Sequence, residues 1–294
     1  MPGLLERMYG FEQRPMASAD TLPSDLAAAA GLRALDQGEI SADEVDLLVF
    51  AAVSEDMEEP ATSHIVAEKL GVTAPVFDVK NACNGMLNSI HIADALVRDG
   101  QYDRVLLVSG ELGTRTSVEG ISDRRELNLR LPAFTTCDIG AAVLLEASPR
   151  PGVMGSKFTA NSSGWRAATL PNPYFAPAEP ARPQIDSAAL VDSFAGMTSQ
   201  AERALHDLGY KIDDLDLACV HQASAAFTNT FCRALGIPED KIVRTFSRYG
   251  NATTASLPLQ LAEASEQGRL RPGGLVALFG LASGASGGLV LLRW

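Results

Sequence analysis

The stretch VFDVKNACNG, residues 76–85, decides how the rest of the chain is read. Val76, Phe77 and Val79 make a short apolar strand, and Lys80, Asn81 and Ala82 a tight turn that ends in Cys83. Beyond the turn, Met86, Leu87, Ile90, Ile92, Ala93, Leu96 and Val97 are apolar on nearly every face, the pattern of a buried helix closed by Gly100. A thiol between a strand's end and a buried helix's start meets unpaired backbone N–H groups and the positive end of the helix dipole. Both favour the thiolate. Cys83 is therefore a candidate nucleophile. The alternative is a free cysteine used as a small hydrophobe, and nearby charge decides between the two.

The chain has 294 residues, 46% hydrophobic and 20% charged, which is enough for a large core in one domain or two related halves. No apolar run reaches membrane-span length, and the start MPGLLERMYG lacks a signal peptide's apolar core, so a soluble, cytoplasmic protein is expected. Cys83, Cys137, Cys219 and Cys232 form no CxxC pair and no His/Cys cluster, which argues against disulfides and structural zinc. His64, His91 and His206 stand in no metal-ligand pattern, so no metal is expected. With a net charge of −12, nucleic acid is a poor candidate partner, since phosphate binding needs a basic face. An anionic ligand such as coenzyme A, or an acidic carrier protein, needs a local basic patch. Arg124, Arg125, Arg130, Arg244 and Arg248 can supply one, or are simply scattered and solvated.

Ser24–Gly38 reads as a helix, Val45–Val53 as a buried strand and Thr62–Gly71 as a second helix. After the Cys83 unit, Arg104–Ser109 is a strand, 111–135 a charged excursion and Asp138–Ala147 a closing strand. A second half then repeats the first. DEVDLLVFAAVS at 43–54 parallels DDLDLACVHQAS at 213–224, and RDGQYDRVLLVSG at 98–110 parallels EQGRLRPGGLVALFG at 266–280. Leu70-Gly71-Val72 parallels Leu235-Gly236-Ile237, and AAVLLEA at 141–147 parallels GGLVLLRW at 287–294. Two copies of one strand–helix–strand unit predict an α/β protein with two stacked, mostly parallel sheets, helices lying between and outside them. Near-continuous apolar strands fit sheets buried on both faces. The second half opens with a strand, Val153–Thr159, before a helix over Asp186–Gly209; the first half starts almost directly at its helix, so either an opening strand is lacking or the true start lies upstream. The Pro-rich 171–183 segment reads as a loop.

The repeat places three polar residues at strand ends. His221 ends the apolar strand Leu217–Val220, where the first half has an apolar residue. Asn251 occupies a turn that matches the Cys83 turn. If the halves are related by a pseudo-twofold, Cys83 and Asn251 meet at the central helix N-termini, with His221 on a neighbouring strand end. His221 is otherwise a satisfied core histidine, and Asn251 a helix N-cap. A thiolate attacks a thioester, while an imidazole and a carboxamide can donate hydrogen bonds to a developing enolate oxygen. The small-residue segment FGLASGASGG at 279–288 can bring a backbone N–H close to a reacting carbonyl, or is just a tight turn.

VFDVKNACNG, VHQAS, RYGNATTASLPLQL and FGLASGASGGLVLLRW together resemble the thiolase-fold condensing enzymes of the ketoacyl-acyl-carrier-protein synthase III type, over nearly the whole chain. The resemblance implies a five-layered α-β-α-β-α arrangement whose opening strand is missing. Residues 1–150 would be the half with the nucleophile, and 151–294 the half with the catalytic His and Asn. It implies a Cys83–His221–Asn251 triad, acyl transfer onto Cys83, and an oxyanion hole made by the N–H groups of Cys83 and Ser283. It implies a homodimer formed about Val76–Val79. Coenzyme A or acyl-carrier-protein thioesters would be substrates, with no bound cofactor. Ser224, Ala226 and Ser283 depart from the family pattern, and the tryptophan that often stacks on the adenine of coenzyme A has no counterpart.

The loop Ser54-Glu55-Asp56-Met57-Glu58-Glu59-Pro60-Ala61-Thr62 looks more like the OleA-type thiolases and the related pyrone synthases. By that resemblance Glu59 crosses the dimer as a general base. An enzyme that deprotonates an acyl thioester needs such a base, and one that makes its carbanion by losing CO2 does not. The alternative is that Glu55, Glu58 and Glu59 are solvated carboxylates heading a helix. The leading expectation is therefore a Claisen condensation without decarboxylation. The alternatives are a decarboxylating synthase III that primes fatty acid or polyketide chains, an acyltransferase to oxygen or nitrogen, and a non-catalytic partner subunit.

Overall fold

The computed structural model describes residues 3–116, 123–150, 152–172 and 182–294, with Leu4 described by its backbone alone. Parts of the 111–135 excursion and of the 171–183 loop fall outside these residues. The first half runs α1 (Leu4–Tyr9), α2 (Pro23–Gly38), β1 (Leu47–Ala51), α3 (Thr62–Leu70), β2 (Val76–Val79), α4 (Gly85–Arg98), β3 (Arg104–Leu112), α5 (Arg124–Arg130) and β4 (Asp138–Glu146). The second half opens with β5 (Val153–Ala160) and two short strands, β6 (Ala168–Thr169) and β7 (Gln184–Ile185). There follow α6 (Ser187–Ser193), α7 (Met197–Asp207), β8 (Leu217–Val220), α8 (Ala225–Leu235), α9 (Phe246–Tyr249), α10 (Ser256–Glu266), β9 (Leu275–Ala282) and β10 (Ser286–Arg293).

One sheet has the order β2-β1-β3-β4 and the other β5-β10-β9-β8. The strands of β1 alternate Leu48 and Phe50 outward with Leu47 and Val49 inward, and all are buried. Both faces of the sheet are covered, which is why this strand is a continuous apolar run. Helices α4 and α10 lie between the sheets, where Met86, Leu87, Ile90, Leu257 and Leu261 meet Val49 and Leu107 on one side and Leu278 and Val290 on the other. Ala27, Leu35, Val66 and Leu70 of α2 and α3 cover the outside of the first sheet. Met197, Leu205, Phe231 and Leu235 of α7 and α8 cover the second. The order is α-β-α-β-α.

Helix α2 rests directly on the backbone of its sheet. Gly110 and Gly140 are paired in register, and a Cβ on either would lie about 2 Å from a carbonyl of α2. Only glycine permits that approach.

Two details differ from the sequence expectation. The sheets are mixed: β1 runs parallel to β2 and β3, and β8 to β9, but β3–β4, β9–β10 and β10–β5 are antiparallel. The turn from β9 to β10 spans only 283–285, too short for the crossover that a parallel pair requires. The single helix expected over 186–209 is two, α6 and α7, because Gly196 adopts φ +80° and starts a new helix there. Among the described residues no strand precedes β1, and β4 pairs with β3 alone. Among them also, no helix is long and apolar enough to cross a membrane.

Candidate active site

Cys83, His221, Asn251 and Ser283 line one cavity of about 260 Å³ between the halves. Its remaining wall is largely apolar, with Pro132, Leu170, Leu190, Phe194, Phe227 and Leu281 among the lining residues.

The Cys83 turn is fastened to the second half by Asn84. This fully buried side chain donates to Ser286 Oγ at 2.9 Å and to Ser286 O at 3.1 Å. Asn84 packs so closely on β9 that a Cβ at Gly280 would lie 2.1 Å from its Oδ1. Within the turn, Asn84 N donates to Asn81 O at 3.0 Å and Gly85 N to Ala82 O at 3.1 Å. Cys83 retains accessible surface because the cavity faces it, yet protein surrounds it. Burial pushes its thiol up to about 12, the Glu111 charge adds to the push, and its own backbone N–H opposes it. The lowered thiol expected from the helix start is therefore reversed: desolvation and a neighbouring carboxylate outweigh the dipole.

His221 stands at the end of β8, 3% exposed, with its backbone N–H donating to Phe279 O at 2.9 Å. Burial holds the imidazole down at about 4, so it is neutral at physiological pH. Its Nδ1 has no hydrogen-bond partner among the described residues. A neutral imidazole beside a protonated thiol is the resting state from which a proton can pass to nitrogen as sulfur attacks.

The residue after His221 positions the third group. Gln222 donates to Val243 O at 2.6 Å, and its Oε1 accepts from Thr245 N at 3.1 Å and Phe246 N at 3.0 Å. That anchors the segment leading through α9 to Asn251. Asn251 N donates to Thr135 O at 2.8 Å, and Asn251 O accepts from Cys137 N at 3.2 Å. Its Oδ1 accepts from Thr253 N at 2.9 Å. The carboxamide thus braces the turn that precedes α10, although the N-cap of α10 itself is Ala255 and not Asn251, and it still lines the cavity. With Oδ1 so engaged, the NH2 end is the one left to donate to a ligand oxygen.

Glu111, which sequence reasoning passed over, also lines the cavity at 1% exposure. Burial raises its carboxyl, and donation from Val53 N opposes this. An acidic residue closing the apolar run RVLLVSGEL was the one signal available for it.

Glu59 lies elsewhere. It is exposed in the loop before α3 and does not line the cavity of its own chain. Its acidic neighbours have local partners: Glu55 pairs with Lys80 at 2.9 Å, and Asp56 accepts from Ser24 N at 2.9 Å and Oγ at 2.6 Å. Of the arginines weighed for a basic patch, Arg130 pairs with Glu126, Arg244 with Glu239 and Arg248 with Glu263. Arg124 and Arg125 are exposed on α5.

The sequence matches the family 3-oxoacyl-[acyl-carrier-protein (ACP)] synthase III over residues 77–162, and the C-terminal family of the same enzymes over 205–294. A β-ketoacyl-[acyl-carrier-protein] synthase III of Neisseria meningitidis serogroup A is 31% identical, covering 97% of this chain and 88% of that protein. One from Neisseria gonorrhoeae is 30% identical over the same shares. The fold is similar to that of OleA from Xanthomonas campestris. Its cerulenin-bound crystal structure has a TM-score of 0.92 at 27% identity, covering 100% of this chain and 87% of that one. A cysteine-to-serine form of OleA with bound lauric acid and lauroyl-CoA has a TM-score of 0.91 at 27% identity, covering 100% and 89%.

Proposed function

The chain belongs to the 3-oxoacyl-[acyl-carrier-protein] synthase III family of thiolase-fold condensing enzymes, and from that premise we propose that it joins two acyl thioesters through an acyl-Cys83 intermediate. The observation that carries this reading is the single, largely apolar cavity shared by Cys83, His221 and Asn251. Residues 1–150 supply the nucleophile in this reading, and residues 151–294 supply the imidazole and carboxamide.

In the first half-reaction the Cys83 thiol passes its proton to His221 as sulfur attacks the thioester carbonyl. The N–H groups of Cys83 and Ser283 hold the oxyanion. The departing thiolate of coenzyme A or carrier protein takes the proton back from His221. In the second half-reaction the α-carbon of a second acyl thioester loses a proton to Glu59 of the partner subunit. His221 and Asn251 donate to the enolate oxygen. The carbanion attacks the acyl-Cys83 carbonyl, Cys83 leaves as a thiolate and is reprotonated, Glu59 gives up the proton it accepted, and a β-ketoacyl thioester is released.

Three features support the non-decarboxylative form: the Glu55–Pro60 loop sequence, the likeness to OleA, and a Glu59 that is exposed rather than committed inside its own chain. The edge strand β2 supports the homodimer this requires, since its one strand partner among the described residues is β1. The 30–31% identity to synthase III relatives favours a second reading, in which a malonyl thioester loses CO2 to make the same carbanion. The test is incubation with two acyl-coenzyme A molecules, with and without malonyl thioester. A β-ketoacyl product without malonyl donor, lost in Glu59→Gln, supports the first reading. Product only with malonyl thioester, unchanged in Glu59→Gln, establishes the second.

A further inference from the structure

In the cavity wall, a buried carboxylate that the mechanism above does not use joins three segments of chain. Glu111 Oε1 accepts from Val53 N at 3.0 Å and from Thr254 N at 3.3 Å, and Oε2 accepts from Ser54 N at 3.2 Å. Val53 and Ser54 begin the loop that carries Glu59, and Thr254 follows Asn251 in the other half. Thr254 in turn donates its hydroxyl to Ala82 O at 3.0 Å, one residue before Cys83. Leu112 N, next to Glu111, donates to Ser54 Oγ at 3.0 Å and ties the same loop a second time.

A carboxylate with both oxygens aimed at backbone donors does not need to titrate to serve this purpose. A carboxyl group is planar and presents two acceptors at a fixed separation, so one side chain can hold two loops in one register. Burying that charge is costly, and three N–H donors are what offset the cost. A structure that required only a filled space here would be served by an apolar residue.

We propose that Glu111 is a positioning residue of the condensation, fastening the loop that bears Glu59 and the turn that bears Asn251 to the Cys83 turn. This rests on the reading of Cys83 as the nucleophile. The titratable groups that feel its charge are Cys83 and Cys137. Asp138 and Arg14 also act on Cys137, and the neutral His221 completes the chamber wall.

The proposal makes separable predictions for two variants. Glu111→Gln keeps the shape but replaces one acceptor with a donor facing an N–H. Condensation is expected to fall by at least tenfold in kcat. Independently of any turnover, the pH profile of Cys83 alkylation by iodoacetamide is expected to move to lower pH, because a negative charge has left the thiol's surroundings. A merely structural residue would lower the thermal midpoint and leave the kcat of the folded protein unchanged. Thr254→Val keeps the charge and removes the hydroxyl that reaches Ala82, so condensation is expected to fall by several-fold with the alkylation profile unmoved. Condensation within twofold of the parent in both variants would overturn the proposal, whatever the alkylation profile does. If Glu111→Gln does not fold, Thr254→Val decides alone: an undiminished kcat overturns it. If the parent protein never acylates Cys83, the catalytic reading fails, while the alkylation profiles still report on Glu111.

Discussion

Gln260 binds both backbone groups of Val220: its Oε1 accepts from Val220 N at 3.0 Å, and its Nε2 donates to Val220 O at 2.9 Å. Val220 is the last residue of β8 and immediately precedes His221. Gln260 therefore acts as a strand partner on the side of β8 away from β9 and fixes where the imidazole starts. Both partners are fully buried. Replacing Gln260 with Leu leaves an N–H and a carbonyl without partners, at about 1–3 kcal/mol each. The expected loss of unfolding free energy is about 2–6 kcal/mol, read from urea midpoints at constant slope. A fall in condensation rate should accompany it even where the protein is fully folded.

The resting thiol gives a second prediction. With Cys83 pushed up to about 12, its thiolate fraction grows tenfold for each pH unit throughout the neutral range. Alkylation of Cys83 by iodoacetamide should rise with a slope near one on a logarithmic scale from pH 6 to pH 9, without a plateau. A plateau beginning near pH 7 would instead mean a preformed thiolate, and a resting Cys83 unlike the one described here.

The duplicated architecture was legible because each copy carries its own apolar strands, and those patterns are local. That Cys83, His221 and Asn251 come together was legible from the repeat: His221 stands where the first half has Ala51, and Asn251 occupies the turn that matches the Cys83 turn. Glu111, Gln222 and Gln260 were not. Their partners are backbone groups far along the chain: 58 and 143 residues away for Glu111 and 40 for Gln260. No local pattern marks such a contact. The thiol's upward displacement was hidden too. A helix start can be read from ten residues, whereas desolvation depends on everything packed around the sulfur. The break between α6 and α7 turns on Gly196 taking a left-handed conformation, which a helical pattern on both sides conceals.

In the proposed reaction, Asn251 is expected to bear on the second half-reaction more than the first. Its NH2 group is the end left to donate, and an enolate oxygen forms only when the second substrate is activated. Asn251→Ala should lower the condensation rate by about 10²–10³-fold, the scale of losing one donor to a developing oxyanion. Acylation of Cys83, followed by intact mass after mixing with one acyl-coenzyme A, should fall far less. Equal losses in both steps would place Asn251 in the acyl-transfer step instead. Because Asn251 Oδ1 also accepts from Thr253 N, the thermal midpoint of the variant must be measured beside its kinetics.

His221 makes the fold sensitive to acid in a defined window. Burial lowers the imidazole to about 4 from 6.5, so the folded protein stays unprotonated while the unfolded chain takes up a proton. The stabilisation is present above the unfolded value and is lost as pH falls from about 6.5 toward 4. At 1.36 kcal/mol per pH unit below the unfolded value, the contribution of this one group between pH 7 and pH 5 is about 2 kcal/mol. His221→Phe removes the titration and keeps an aromatic ring. The difference in unfolding free energy between pH 7 and pH 5 should therefore shrink by about 2 kcal/mol in that variant, whatever its absolute stability. An unchanged difference would mean that His221 already carries a proton in the folded protein, and that a charged imidazole, not a neutral one, meets the Cys83 thiol.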